Sequence, residues 1–141
     1  MEFLRLMFLI DTNIFLELFL NREKADECER FLEEISNGDL EAVVTRFSIH
    51  AIEAILNNPK LILIFLRNIE NSLGLTVYDT TMDEEMAVSM IMEEKKLDFD
   101  DALQYYVAKK LGIEAIVSFD KHFEKLDIPR KEPREIIEAL R

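Results

Sequence analysis

Four short stretches of the chain are almost continuously apolar and too short to be buried helices. They are residues 5–10, 41–45, 75–78 and 115–118. Short apolar runs without polar alternation are typical of strands that are buried on both faces of a parallel sheet. The chain is therefore expected to contain a mainly parallel central sheet of about four to five strands.

Between these runs, apolar residues recur at the spacing of α-helices, most clearly over residues 25–35. Further helices are predicted over residues 13–20, 48–58, 60–72, from 82 onward, 98–111 and 134–140. Strands that alternate with helices predict an α/β fold with helices on both faces of the sheet, a three-layer arrangement. We expect residues 1–141 to form a single domain, because no linker or internal repeat interrupts the pattern.

One of these helices carries a stripe of methionines. A capping-box sequence begins at Thr81, and Met82, Met86, Met90 and Ile91 follow at helical spacing. Methionines at this spacing usually face the core. The stripe is therefore predicted to be the inner face of the helix.

The chain of 141 residues carries 17 Lys and Arg against 29 Asp and Glu, a formal net charge of −12. Such a charge repels nucleic acids and anionic membranes at long range. The charge is unevenly distributed, because residues 79–101 carry nine acidic side chains and two lysines, whereas residues 121–134 carry five basic and three acidic ones. The sequence indicates one anionic pole, either a solvated helix face or a cation site.

Cysteine content and apolar run length limit the classes of protein to consider. Cys28 is the only cysteine, which excludes an intrachain disulfide and a Cys-rich zinc site and favours a reducing compartment. The start of the chain has no export signal, and the longest strictly apolar stretch is the six residues 61–66, which argues against a membrane span. A cytoplasmic location is expected.

Four carboxylates are expected to meet at one edge of the predicted sheet. Asp11 and Asp120 lie at or just past the ends of two strands. Asp101 lies at the start of a helix, and Glu53 lies on the helix that follows the second strand. The carboxyl ends of parallel strands form the usual ligand crevice. Divalent cations make crowded carboxylates tolerable, and oxygen ligands without clustered His favour Mg²⁺ or Mn²⁺, which can support phosphodiester hydrolysis.

Some of these acids also have a structural explanation. Asp11 alone could be an ordinary turn residue. Asp98 and Asp101 have the spacing of a helix N-cap and its N3 position, where free N–H groups stabilise a carboxylate. Glu53 is more telling, because its helix neighbours are apolar and an acid in apolar surroundings needs a partner. The prediction of a metal site therefore rests on the four acids together, rather than on any single one of them.

Four motifs, in this order, resemble the PIN domain family over nearly the whole chain. They are LIDTN at residues 9–13, Glu53, DALQ at residues 101–104 and IVSFDKHF at residues 116–123. The resemblance is greatest to the toxin-like PIN proteins of prokaryotic toxin–antitoxin pairs. It implies a Mg²⁺- or Mn²⁺-dependent ribonuclease whose acidic quartet is Asp11, Glu53, Asp101 and Asp120. Thr12, Asn13 and Ser118 match the polar positions that support the quartet.

In the predicted mechanism, the quartet and its metal position a water for in-line attack on an RNA phosphodiester, leaving 5′-phosphate and 3′-hydroxyl ends. Asp11, Asp101 and Asp120 are the expected metal ligands, and Glu53 completes the site or orients the water. Two additional acids, Asp98 and Asp100, adjoin Asp101, and Asp98 is the likelier substitute because it shares a helix face with Asp101.

RNA must approach this acidic site along a basic rim. The candidate rim residues are Arg46, Lys121, Lys125, Arg130 and Lys131. Each of them could equally be an ordinary solubilising surface charge. His122 could contact phosphate, although the proposed hydrolysis needs no histidine.

The apolar segments at 14–20 and 61–66 carry more apolar surface than a single core-facing stripe requires. The family resemblance implies a homodimer contact and a groove for an antitoxin protein on the apolar helices near 14–35. A PIN-like module that binds RNA or protein without cutting stays open as an alternative. A phosphatase or phosphoacceptor domain is less favoured, because position 13 is Asn and the paired acids expected at the first strand are missing.

Overall fold

The computed structural model describes residues 6–140, which form five β-strands, seven α-helices and one 3₁₀ helix. The strands are β1 (Met7–Ile10), β2 (Glu41–Thr45), β3 (Leu75–Tyr78), β4 (Ala115–Val117) and β5 (Arg130–Lys131). The helices are α1 (Thr12–Phe19), α2 (Ala25–Ser36), α3 (Arg46–Leu56), α4 (Pro59–Asn71), α5 (Met82–Lys95), α6 (Phe99–Leu111) and α7 (Pro133–Ala139), and the 3₁₀ helix spans Lys121–Lys125. Among the described helices, none is long and apolar enough to cross a membrane.

All five strands are parallel and lie in the order β3-β2-β1-β4-β5. The predicted α/β class and the size of the sheet are confirmed. From β1 the chain runs outward to β2 and β3 on one side, and it returns to β4 and β5 on the other. Such a reversal opens a crevice at the carboxyl ends of the two strands where it occurs. Here the crevice lies between β1, which leads into Asp11, and β4, which leads into Ser118.

Helices cover both faces of the sheet and enclose two apolar cores. Phe8 and Ile10 of β1 face one core, which includes side chains of α1, α2, α3, α4 and α7. Leu9 faces the other core, with side chains of α5, α6 and the 3₁₀ helix. Because β1 is buried on both sides, its end is fixed by packing, and this holds the crevice in place.

Two local predictions were wrong. The two prolines at 129 and 133 predict a loop between them, but this segment contains β5, which pairs with β4. Helix α3 begins at Arg46 rather than after Ser48, because the hydroxyl of Thr45 accepts a 3.0 Å hydrogen bond from the Ser48 N–H and caps the helix. Residue 5, where the first strand was predicted to begin, lies outside the described residues.

The apolar side chains of α1 and α4 divide between the core and the surface. Ile14, Phe15 and Leu16 are at most 6% exposed, so this part of α1 belongs to the core. On α4, Leu63 and Ile64 are about half exposed. The apolar excess noted in the sequence is therefore used partly for folding and partly left at the surface.

The methionine stripe of α5 faces solvent, which contradicts the predicted orientation of this helix. Met82, Met86 and Met90 are 76%, 60% and 72% exposed, whereas Glu84 and Val88 are buried. Of the predicted stripe, only Ile91 packs against the core. An acid occupies the inner face because the Lys110 ammonium and the hydroxyl of Tyr78 lie within hydrogen-bond distance of its carboxylate, both at 2.6 Å. A buried charge that is paired and hydrogen-bonded in this way is tolerated in a protein interior.

The Glu84 network gives the first prediction. Hydrogen bonds from Lys110 and then Tyr78 lower the pKa of Glu84 to about 2 from an ordinary value of 4.5. A lowered pKa stabilises the fold above the unfolded value, and this contribution is lost as the pH falls through the folded value. Glu84→Gln is expected to lower the melting temperature at pH 7, and the deficit should shrink between about pH 4.5 and 2. Thermal unfolding across this range tests it, with the exposed Glu93→Gln as control; an equal deficit at all pH values contradicts it.

Candidate metal centre

Asp11 sits at the end of β1, where three hydrogen bonds fix its carboxylate. Its Oδ1 accepts from the Thr12 N–H and from the Gln104 side-chain amide, both at 2.8 Å, and its Oδ2 accepts from the Ser118 hydroxyl at 2.6 Å. The side chain is only 6% exposed, and burial raises its pKa despite these donors. Asp11 is therefore oriented but poorly solvated, as a site for a cation requires.

Three aspartates occupy the start of α6, and each has a different environment. Asp98 is the N-cap, and its Oδ1 accepts the Asp101 N–H at 2.9 Å. Burial, followed by the neighbouring charges of Asp98 and Asp120, raises the pKa of Asp101 to about 7. Burial and the charge of Asp11 raise the pKa of Asp100 to about 6. Asp98 therefore caps the helix, as its spacing from Asp101 predicted. The carboxylates of Asp100 and Asp101 are each repelled by the charges of neighbouring aspartates.

Asp120 closes the cluster from the side of β4. Its backbone N–H donates to the Ser118 hydroxyl oxygen at 2.9 Å, and that hydroxyl donates in turn to Asp11. One ligand atom each of Asp101, Asp120 and His122 lie within 4.8 Å of one another. The crevice thus brings together Asp11, Asp101 and Asp120, three of the four acids selected from the sequence, and adds His122.

Glu53 makes a different contact. It lies on α3, and its Oε1 is 3.0 Å from Nδ1 of His50. No hydrogen bond within the described residues joins it to the aspartates. Its assignment to the quartet stays a prediction, as do the roles assigned to the other site residues.

Gln104 is a site residue that the sequence reasoning missed. Its side-chain amide donates to Asp11 at 2.8 Å and to Asp100 at 3.3 Å, and the residue is fully buried. The available signal was its spacing, because Gln104 is four residues after Asp100 and shares its helix face. The contact with Asp11 spans 93 positions of sequence and could not be foreseen from that spacing.

The side-chain oxygens around the aspartates are suitable ligands for a divalent cation. Three buried side-chain oxygens near the cluster have no hydrogen-bond partner among residues 6–140: Thr12 Oγ1, Asn13 Oδ1 and Gln104 Oε1. Within the described range, no Lys or Arg forms an ion pair with the five aspartates, which are Asp11, Asp98, Asp100, Asp101 and Asp120. Unneutralised carboxylates and unpaired neutral oxygens are the ligands that Mg²⁺ and Mn²⁺ prefer.

The basic residues proposed for the rim differ in availability. Arg46 and Lys121 are exposed and form no ion pair with the described residues, while Lys125 donates to the Lys96 carbonyl at 3.4 Å. Arg130 is held inside the protein, where it donates to the Ser118 carbonyl and pairs with Glu124. Arg130 therefore braces the end of β4, and Arg46 and Lys121 are the freer cations.

A family model for the PIN domain matches residues 8–129. The chain belongs to the PIN domain family. The match spans the crevice and all of the aspartates around it, so the resemblance inferred from short motifs is confirmed at the level of the family. Among curated proteins, none matches the sequence.

Solved structures share the architecture of this PIN domain at low sequence identity. One is VapC20 of Mycobacterium tuberculosis, described as a sarcin-ricin loop cleaving toxin, with a TM-score of 0.70, 18% identity, and coverage of 86% of this chain and 95% of that one. Another is a toxin–antitoxin complex from Klebsiella pneumoniae, with a TM-score of 0.68, 16% identity, and coverage of 89% of this chain and 96% of that one. A third is VapBC2 of Rickettsia felis bound to a promoter DNA fragment, with a TM-score of 0.66, 14% identity, and coverage of 90% of this chain and 98% of that one. At these identities the likeness shows the fold of the PIN domain alone.

Proposed function

We propose that this PIN domain is a metal-dependent endoribonuclease of the VapC toxin type. The observation that supports it best is the meeting of Asp11, Asp101 and Asp120 in a crevice where no lysine or arginine of the described residues pairs with them. A fold gains nothing from buried, mutually repelling carboxylates unless a ligand compensates for them. The printed names of the neighbours, which include a cleaving toxin and toxin–antitoxin complexes, agree with this choice.

The divalent ion, Mg²⁺ or Mn²⁺, would orient the scissile phosphate, acidify a water and stabilise the leaving oxygen. The chain's own residues hold the geometry. Ser118 and Gln104 fix the rotamer of Asp11, while Asp101 and Asp120 face each other across the crevice. Glu53, whose carboxylate lies 3.0 Å from Nδ1 of His50, would complete the site or orient the attacking water as a base.

RNA is the substrate we propose, bound along its phosphates. Arg46 at the start of α3 and Lys121 after Asp120 flank the carboxyl edge of the sheet, and both are exposed. Lys125 is the last residue of the 3₁₀ helix that Lys121 begins. With a net charge of −12, the protein needs such local cations for any contact with a polyanion, so we expect binding to weaken steeply with salt.

One experiment tests the proposed reaction. Purified protein is incubated with a mixture of structured RNAs, or with DNA, in Mn²⁺, in Mg²⁺ and in EDTA, with Asp101→Asn as the inactive control. We expect cleavage of RNA only, with a divalent ion only, leaving 5′-phosphate ends. Cleavage that persists in EDTA or in Asp101→Asn points to a contaminant or to another site. Binding of RNA without any cleavage favours the alternative of a catalytically silent module.

An antitoxin segment is the partner we propose for the apolar groove between α1, α2 and α4. The groove has a volume of about 210 Å³ and is lined by Phe15, Leu18, Phe19, Glu29, Leu32, Glu33, Ile35, Ser36, Asn68, Ile69, Ser72 and Leu75. Two acids, Glu29 and Glu33, stand beside its apolar floor. A complementary segment would insert apolar anchors and place Lys or Arg next to these acids.

We also propose a homodimer that uses the exposed stripe of α5. Met82, Met86 and Met90 form an exposed apolar face on α5, the helix that follows β3 in the chain. Light scattering is expected to give a mass of twice 16.6 kDa, and Met86→Glu should return the protein to one chain mass. Leu73→Glu, at an exposed position outside the stripe, is the matched control. A wild-type monomer at micromolar concentration contradicts the dimer.

A further inference from the structure

His122 is held against the acidic cluster by a tight turn. The Asp120 carboxylate caps the 3₁₀ helix by accepting the His122 N–H at 2.9 Å. The same turn brings Nδ1 of the imidazole to 3.1 Å from Asp120 Oδ1, although the side chain is 75% exposed. Since the side chain is largely exposed, the backbone turn rather than side-chain packing determines where the imidazole ring lies.

The ligand atoms around His122 are close enough together for a single ion to lie between them. Its ligand atom and those of Asp101 and Asp120 all lie within 4.8 Å of one another. Around an octahedral ion with bonds of about 2.1 Å, adjacent ligands are about 3 Å apart and opposite ones about 4.2 Å. One ion can therefore contact all three residues with little movement of the side chains.

We propose that His122 is a direct ligand of the metal and that it makes this centre select Mn²⁺ over Mg²⁺. The inference rests on the metal centre of the proposed function and adds a nitrogen ligand to it. Mg²⁺ takes oxygen ligands and waters almost exclusively, whereas first-row transition ions accept imidazole. Two carboxylates beside one imidazole keep the set rich in oxygen, which suits Mn²⁺.

A plain ion pair between His122 and Asp120 is the competing explanation. Exposed pairs of this kind contribute little to stability, so they are compatible with any metal or none. The chain contains only two histidines, and the other one, His50, pairs with Glu53 at a similar distance of 3.0 Å. His50 is therefore a matched control for the removal of an imidazole next to an acid.

Pulsed electron paramagnetic resonance of Mn²⁺ distinguishes the two explanations without any measure of activity. Tag-free, metal-stripped protein is loaded with Mn²⁺, and ¹⁴N coupling to the ion is recorded for the wild type, His122→Asn and His50→Asn. We expect imidazole coupling in the wild type and in His50→Asn, and none in His122→Asn. Calorimetric titration should show that His122→Asn lowers the affinity for Mn²⁺ by about tenfold or more and the affinity for Mg²⁺ by less than about threefold.

The outcomes separate this inference from the function on which it rests. Mn²⁺ bound without ¹⁴N coupling, or coupling that survives in His122→Asn, overturns the role of His122 and leaves a carboxylate metal centre. Equal losses of Mn²⁺ and Mg²⁺ affinity in His122→Asn overturn the selectivity. Failure of the wild type to bind either ion removes the metal centre itself, and the proposed nuclease with it.

Discussion

Replacing Asp11 with asparagine is expected to reduce RNA cleavage by about a thousandfold or more, because several kcal/mol of metal-dependent stabilisation is lost from the transition state. The substitution removes one charge and keeps the shape of the side chain. The amide oxygen can still accept from Thr12 and Gln104, so two of the three hydrogen bonds are retained and only the one that the Ser118 hydroxyl donates is lost. The fold should therefore survive.

The matched control is Asp79→Asn. Asp79 follows β3 as Asp11 follows β1, but it is exposed and lies at the edge of the sheet. We expect Asp79→Asn to keep wild-type activity in a single-turnover assay, whereas Asp11→Asn loses it with an unchanged circular dichroism spectrum. Undiminished cleavage by pure Asp11→Asn protein would refute the role of Asp11.

Replacing Asp101 with asparagine is expected to stabilise the metal-free protein at alkaline pH. The pKa of Asp101 is raised from 3.8 to about 7, so the folded state holds its proton over a range in which the unfolded state has released it. The stabilising contribution is complete below pH 3.8 and is lost as the pH rises through 7. At pH 8 the cost is on the order of 2–4 kcal/mol, since each pKa unit corresponds to about 1.4 kcal/mol.

In EDTA, the melting temperature of Asp101→Asn should exceed that of the wild type by about 5 °C or more at pH 8, and by little at pH 4. Saturating Mn²⁺ should reverse the order at pH 8, because the ion stabilises only the protein that binds it. Differential scanning calorimetry at both pH values measures this. A gain that is the same at pH 4 and pH 8 contradicts the raised pKa, and a gain that Mn²⁺ does not reduce argues against Asp101 as a ligand.

The parts of the site that sequence could predict are those that depend on one element at a time. Asp11 and Asp120 follow apolar strand runs directly, and the strands of a parallel sheet end at the same edge. Asp101 follows from the start of a patterned helix. These placements need only the order of elements, so they emerge from local patterns and the rule of right-handed crossovers.

The orientation of α5 shows why other features escaped prediction. Two stripes are available on this helix, one of methionines and one that includes Glu84 and Val88. Periodicity alone favours the apolar stripe. The choice is decided by Lys110 on α6, which pairs with Glu84, and by Tyr78 at the end of β3, which donates a hydrogen bond to it. The periodicity of α5 contains neither contact.

Gln104 escaped notice for the same reason, and His122 was considered only as a possible contact for phosphate. Gln104 lies on a predicted helix, but its value lies in a contact with Asp11, 93 positions earlier in the chain. His122 lies on a 3₁₀ helix that the sequence did not predict, and its ligand atom lies within 4.8 Å of those of Asp101 and Asp120. Glu53 differs from these two residues, because the sequence assigned it to the site while the partner that it contacts in the structure is His50. Sequence patterns locate the carboxyl edge of the sheet, and three-dimensional contacts decide which side chains there face one another.

The central claim, that distant carboxylates meet around one divalent ion, is tested most directly by a crystal structure of the protein soaked in Mn²⁺ and measured for anomalous scattering. The account predicts a strong anomalous peak in the crevice between β1 and β4, with Asp101 and Asp120 in its coordination shell and Asp11 beside it. A fully occupied crystal with no peak there, or with manganese bound only at surface acids such as those of α5, would contradict it.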